Sequence, residues 1–311
     1  MSHPIQGVMP VVIMPYDHDG EVDWTSLHSQ VRHMANVGCD GAVVGQVSEV
    51  LRLSDAERRR MAEEMVTAAD GKIHAIMSTG GESIHQAVSF SRHADEAGCD
   101  ALLVMHPSIM ALDDGQMLAY YREVIEAVTC PVLVHHAKSM AKRPLSIAVQ
   151  AELLDLYGPD KVMFKPEAAP TPPRVSELMA ATGGKARIFE GDGGMMLADT
   201  FQRGVTGVIP ATEIAEIVVV LWHLLRQGRD AEARRIAYPL SYLMCHMMNS
   251  IDCYLGISKH LLARRGLMET THIRPPIDYH VDPATLREVE TVYDDLLEAA
   301  RGVSLAQEAA Q

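Results

Sequence analysis

Aromatic residues are scarce: Phe, Trp and Tyr together make up 5% of the 311 positions. Any core must therefore be filled by aliphatic side chains and by the 19 methionines, whose flexible thioethers suit irregular gaps. Excess positive charge is missing too. A formal net charge of −14 argues against a nucleic-acid partner, because a phosphate backbone is bound by clustered Lys and Arg. No apolar run is long enough for a membrane span; the longest, Ile214 to Leu225, is interrupted by Glu216 and His223. Met1 to Gly7 lack the basic start and apolar core of a secretory signal. The five cysteines (Cys39, Cys99, Cys130, Cys245, Cys253) form no CxxC pair, and their odd number and wide spacing read as reduced thiols. A cytoplasmic protein with no membrane partner is the expectation.

What is present is a regular alternation. Short, nearly continuous apolar runs recur at Gly7–Pro15, Gly41–Gly45, Ile73–Thr79, Ala101–His106, Pro131–His136, Val162–Pro166, Arg187–Gly191 and Gly207–Ala211. Such runs suit strands buried on both faces of a parallel sheet. Their starts lie roughly 20 to 34 residues apart, room for one helix and two turns. Helices are legible between them at Trp24–Val37, Ser54–Ala69, Ser83–Ala97 and Gln116–Val128. Ser54 with Glu57 forms a capping-box pattern. Two helix-to-strand joints read alike, Val37-Gly38-Cys39-Asp40-Gly41-Ala42 and Ala97-Gly98-Cys99-Asp100-Ala101-Leu102, with Gly ending the helix.

Strict alternation of this kind predicts an α/β fold, a (β/α)8 TIM barrel, over residues 1–226. A doubly wound sheet is disfavoured because the first βα turn lacks GxGxxG. After the last strand, Glu213–Arg226, Asp230–Asn249, Tyr254–Arg265 and Pro283–Arg301 read as helical. Residues 227–301 are thus expected to be a C-terminal helical extension of the same domain, and 302–311 a loose tail. The stripe Tyr242 to Met248 is expected to serve packing or a subunit interface.

Active sites of this fold lie at the C-terminal strand ends. Those ends offer Gly45-Gln46-Val47-Ser48-Glu49, His106-Pro107-Ser108, His135-His136, Lys165-Pro166-Glu167 and Gly191-Asp192-Gly193. Lys165 is the informative one. A buried lysine without a carboxylate partner is pushed toward the neutral amine that attacks carbonyls. The alternative is a lysine paired with Glu167 or another acid, and spacing alone does not choose between them.

At these residues the chain resembles the dihydrodipicolinate synthase/N-acetylneuraminate lyase family of Schiff-base-forming aldolases, from about Gly7 to Pro276. Gly7 to Pro10, Met14 to Asp17 and Gly20 to Asp23 are similar to the family's opening strand and turn. Gly45 to Glu49 stands where its GTTGE loop stands. Phe164-Lys165 is similar to its imine-forming strand, and Gly191-Asp192 and Gly207-Val208-Ile209 to its later strand ends. The resemblance implies that Lys165 condenses with pyruvate or a 2-keto-3-deoxy acid, the protonated imine acting as electron sink with no separate cofactor and no metal. It implies substrate binding by Gln46, Val47, Ser48 and Glu49, by Gly191 and by Ile209. A homotetramer is likewise implied.

The chain departs from the family in its proton relay. His135 stands where a tyrosine is usual, and is expected to serve as the shuttle, its ordinary pKa suiting proton transfer near neutrality. Gln46 and Val47 replace the relay threonine and its neighbour, Ser108-Ile109 a tyrosine pair, and Met140 an arginine. His106 is expected at the distal end of the substrate, and His136, by alternation, on the other face of its strand. Lys138 and Lys142 are candidates to grip a substrate carboxylate. The expectation is a class I lyase, aldolase or dehydratase. The alternatives are a dihydrodipicolinate synthase-type condensation, a non-catalytic 2-oxo acid binder, and a metal enzyme built on His106, His135, Glu49 and Asp192.

Overall fold

The computed structural model describes residues 4–137, 143–167 and 169–303. Eight parallel strands appear in chain order: β1 (Gly7–Val8), β2 (Gly41–Val43), β3 (His74–Ser78), β4 (Ala101–Met105), β5 (Val132–Ala137), β6 (Val162–Glu167), β7 (Phe189–Glu190) and β8 (Gly207–Val208). They pair as β2-β3-β4-β5-β6 and as β1-β8-β7. Bridges between Val11 and Val43 and between Phe164 and Ile188 join the two runs, so the sheet closes on itself. A (β/α)8 barrel results, with helices outside.

Three strands, β1, β7 and β8, keep only two residues each of the longer apolar runs that predicted them. The run at Gly7–Pro15 keeps a regular ladder only over Gly7–Val8, because Pro10 has no N–H to give. The backbone nevertheless stays stitched on both sides: Val11 N–H donates to the Pro210 carbonyl (2.7 Å) and Val12 N–H to that of Val43 (2.9 Å).

The outer helices start where the capping residues say. Ser54 Oγ accepts from Glu57 N–H while the Glu57 carboxylate accepts from Ser54 N–H (2.8 Å), closing the capping box of the helix Asp55–Ala69. At the two matching joints Gly38 and Gly98 adopt φ of +88° and +94°, a left-handed turn open to glycine at little cost.

Period-two alternation divides the strand residues between two cores. Inside the barrel pack Met9, Val11, Val43, Leu103, Leu133, Met163 and Phe189, while their alternate neighbours Val104, Val134 and Phe164 face the helices. Carried one step further along β5 and β6, the same parity puts His135, Lys165 and Glu167 inside, at the C-terminal mouth.

After the last strand come helices at Ala215–Arg226, Asp230–Met247, Ile251–Arg264 and Pro283–Arg301. The third starts three residues before its expected position, because Ser250 Oγ caps it by accepting from Cys253 N–H (3.1 Å). It is fastened to the barrel by the buried pair of Lys259 with Glu49 (2.6 Å). Within the Met-rich stripe, Leu243, Met244 and Met247 are core. No helix among the described residues is long and apolar enough to cross a membrane. Except for Gly302 and Val303, the expected loose tail lies outside the described residues.

Candidate active site

A cavity of about 440 Å³ opens at the C-terminal mouth of the barrel. Lys165, His135, Glu167, Gln46, Val47 and Gly191 line it, with Ile209 at its wall. Lys165 is 4% exposed. The register of β5 against β6 sets His135 beside Lys165 and Ala137 beside Glu167. The result is a compact triad. His135 Nε2 lies 3.2 Å from Lys165 Nζ and 2.9 Å from Glu167 Oε2, and Lys165 Nζ donates to Glu167 Oε1.

Burial of Lys165 is therefore not isolation. The carboxylate partner that the sequence left as an alternative is present, two residues on along the same strand face. Burial opposes ionisation of Glu167, but the charge of Lys165 and the contact with His135 outweigh it and hold the carboxyl at about 2. Burial, and then the charge of Lys165, push the His135 imidazole below its ordinary value. Its Nδ1 is buried and finds no hydrogen-bond partner among the described residues.

Gly191 makes room for this group. A Cβ there would come within 2.7 Å of both Cγ and Oε1 of Glu167 and within 3.0 Å of Lys165 Nζ. Beneath it lie two further acids. Glu190 is buried and accepts from Gly194 N–H (2.9 Å), and Asp192 accepts from the Thr171 hydroxyl. Burial, with the charge of Asp192, raises Glu190 above the usual carboxylate range; burial, with the charge of Glu167, raises Asp192 as well.

Three expected site residues need correction. Ser48 does not face the cavity: its hydroxyl donates to the Val12 carbonyl (2.6 Å) and accepts from Gly45 N–H (3.1 Å). Glu49 does not either; its carboxylate accepts from Lys259 (2.6 Å) and Arg52 (3.2 Å) and pins the loop from below. What the loop offers the cavity is Gln46 and Val47, which begin a 3-10 turn over Gln46–Ser48. The first N–H groups of such a turn have no partner inside it and suit an anion.

His106 is the third correction. Ala101, Leu103 and Met105 of β4 face inward, so His106 turns outward. Its Nδ1 meets Tyr121 Oη at 3.3 Å and its ring lies 6.5 Å from that of His136, which shares that outer face as expected. His106 and Glu49 are thus turned away from His135, with which a metal centre would need them grouped. Among the described residues no three His, Cys, Asp or Glu side chains are grouped to hold a metal ion.

The cavity's far wall was not foreseen. Met248, Asn249, Ser250, Ile251, Tyr254 and Asp278 all come from the C-terminal extension. Tyr254 donates to Glu213 (3.1 Å), a buried acid that burial raises to about 7. Lys138, Met140 and Lys142 lie outside the described residues.

An amine held at the mouth of a closed parallel barrel, where strand ends and loops converge, defines the class: a (β/α)8 barrel with a lysine-centred site. Residues 4–293 match the dihydrodipicolinate synthetase family, and the chain belongs to that family. It is 25% identical to the 4-hydroxy-tetrahydrodipicolinate synthase of Methanococcoides burtonii over 88% of this chain and 92% of that one. It is 23% identical to the candidate 2-dehydro-3-deoxy-D-gluconate aldolase YagE of Escherichia coli, over 87% and 90% of the two chains. Among solved structures, the 4-hydroxy-tetrahydrodipicolinate synthase of Methylacidiphilum fumariolicum SolV superposes with a TM-score of 0.85 at 23% identity, covering 96% of this chain and 97% of that one. YagE in complex with pyruvate superposes at 0.83 with 20% identity, covering 94% and 99%.

Proposed function

We propose that this protein is a class I lyase in which Lys165 forms a Schiff base with pyruvate or a 2-keto-3-deoxy acid. The observation that carries the reading is Lys165 Nζ, buried at the barrel mouth 3.2 Å from His135 Nε2 and open to the cavity. The amine attacks the keto carbon, water leaves, and the protonated imine draws electrons from the adjoining carbon. A carbon–carbon bond then breaks, or a hydroxyl leaves from the next carbon. His135 takes up or supplies the proton that either route moves, standing where relatives carry a tyrosine. Gln46 and Val47 hold the substrate carboxylate through N–H groups of their turn, and Gly191 and Ile209 form the wall beside the keto carbon. The solved complex of YagE with pyruvate supports a 2-oxo acid as the ligand class. A cytoplasmic homotetramer, with no cofactor beyond the imine, completes the reading.

The test is reductive trapping. Incubation with pyruvate and borohydride, followed by peptide mass spectrometry, should place a pyruvyl adduct on Lys165 that Lys165→Ala lacks. Absence of any adduct with pyruvate or longer 2-oxo acids would sink the proposal. His135→Ala should still be trapped, yet lose about 100-fold or more in turnover on a cleavable keto-sugar acid. Gel filtration with light scattering checks the tetramer.

A further inference from the structure

Imine formation is a problem in moving protons. A lysine ammonium carries three hydrogens on nitrogen and the iminium product one, so two must reach the departing carbonyl oxygen to make water. Some group has to accept protons from Nζ and return them to oxygen a few ångströms away. The tyrosine relay usual in relatives is absent, and His135 offers only one ring nitrogen to the cavity side, already shared between Lys165 and Glu167.

From this geometry we infer that Glu167 is a catalytic residue, the carboxylate that strips Lys165 and then dehydrates the carbinolamine. This rests on Lys165 being the Schiff-base residue. Glu167 Oε1 accepts directly from Lys165 Nζ, and the strand's two-residue repeat keeps both groups on the inner face. His135 Nε2, 2.9 Å from Oε2, holds the second carboxylate oxygen and leaves Oε1 to the nitrogen. Gly191 leaves a gap that any side chain would fill: the position a Cβ would take is 2.7 Å from Oε1 and 3.0 Å from Nζ, so both atoms border the same small space.

The steps balance. Glu167 takes one proton from the ammonium; the freed amine attacks the keto carbon as the carbonyl π pair moves to oxygen. The acid returns that proton to the alkoxide and takes a second from the now positively charged nitrogen, leaving a neutral carbinolamine. It then protonates the hydroxyl, the carbon–oxygen bond breaks, water leaves, and the nitrogen lone pair closes the iminium. Glu167 ends ionised, as it began, against the new cation.

The carboxyl's environment fits both halves of the task. Burial is the largest influence on it and favours the acid form; the charges of Lys165 and His135 override that in the resting site. Once the ammonium has given up its proton, most of the opposing charge is gone, and burial lets the carboxyl keep what it has taken.

A counter-ion with no chemical role makes the opposite forecast. Neutralising it would destabilise the ammonium, release more free amine and leave trapping as fast or faster. The experiment is rapid-quench borohydride trapping on the full chain with pyruvate, for wild type, Glu167→Gln and Glu167→Ala. If Glu167 carries the protons, Glu167→Gln forms the Lys165 adduct about 100-fold more slowly. Added formate then restores at least a tenfold part of the rate in Glu167→Ala, which also proves that variant folded. Trapping in Glu167→Gln at or above the wild-type rate would overturn the inference while leaving the Schiff base standing. A slow Glu167→Ala that formate does not rescue would overturn it as well. No adduct in the wild type would remove both readings together.

Discussion

Glu49 and Lys259, 210 positions apart, meet at 2.6 Å with neither side chain exposed. The pair ties the loop after β2 to the C-terminal helix Ile251–Arg264, and Lys259 also donates to the His272 carbonyl and lies 4.6 Å from the centre of the Tyr16 ring. Burial draws the amine of Lys259 down to about 8, against the pull of Glu49. Breaking one side of a buried pair leaves the other charge short of its partner, and Glu49 would keep only the half-buried Arg52 at 3.2 Å. Lys259→Met should therefore cost about 3 kcal/mol of stability by urea unfolding. A loss below about 1 kcal/mol would show that the pair anchors nothing.

Gly191→Ala tests the crowding around the Lys165 amine. The glycine's backbone angles do not demand glycine, so the strain comes from the new methyl group against Glu167 and Lys165. Thermal unfolding should shift by only a few degrees, while the rate of pyruvate trapping falls tenfold or more. Wild-type trapping in the alanine variant would show that the pair rearranges freely.

His106→Phe separates wall from machinery. The imidazole faces the helices and contacts Tyr121, so its loss should register as roughly 1–3 kcal/mol of stability, with trapping kinetics within about twofold of wild type. A large kinetic defect in a stable variant would return His106 to the site.

Glu213 gives a pH signature. Its buried carboxyl is raised from 4.5 to about 7, so the folded chain keeps a proton that the unfolded chain releases between those values. The stabilisation this proton supplies is complete below pH 4.5 and drains away as pH climbs through 7. Glu213→Gln cannot lose it. The stability of the glutamine variant relative to wild type should rise by about 3 kcal/mol between pH 4 and 8, read from denaturation curves at each pH. A flat difference would mean that the carboxyl titrates normally.

Much of the barrel was legible because its signals are local. Ser54 with Glu57, and the glycines Gly38 and Gly98, fix their turns within a few residues, and buried parallel strands announce themselves as apolar runs. Lys165 and His135 could be placed at strand ends for the same reason. His106 was misplaced because β4 ends at Met105 and the alternation that turned His136 away applies equally one strand over. Ser48 and Glu49 sit in the right loop, but which of its side chains point inward depends on partners such as Lys259, far along the chain. The wall formed by Asn249, Tyr254 and Asp278 was illegible for that reason: nothing near those residues in sequence says that they line the cavity at the barrel mouth.

That wall separates two design problems within one chain. In the proposed reaction strands β5 and β6 supply the reactive nitrogen and its proton partners, whereas Met248, Asn249, Ser250, Ile251, Tyr254 and Asp278 bound the space a substrate's tail would fill. On that reading, variation in the extension retunes which molecules are accepted while the proposed bond-making centre stays untouched, and directed evolution of new selectivity has its natural starting library there rather than in the barrel.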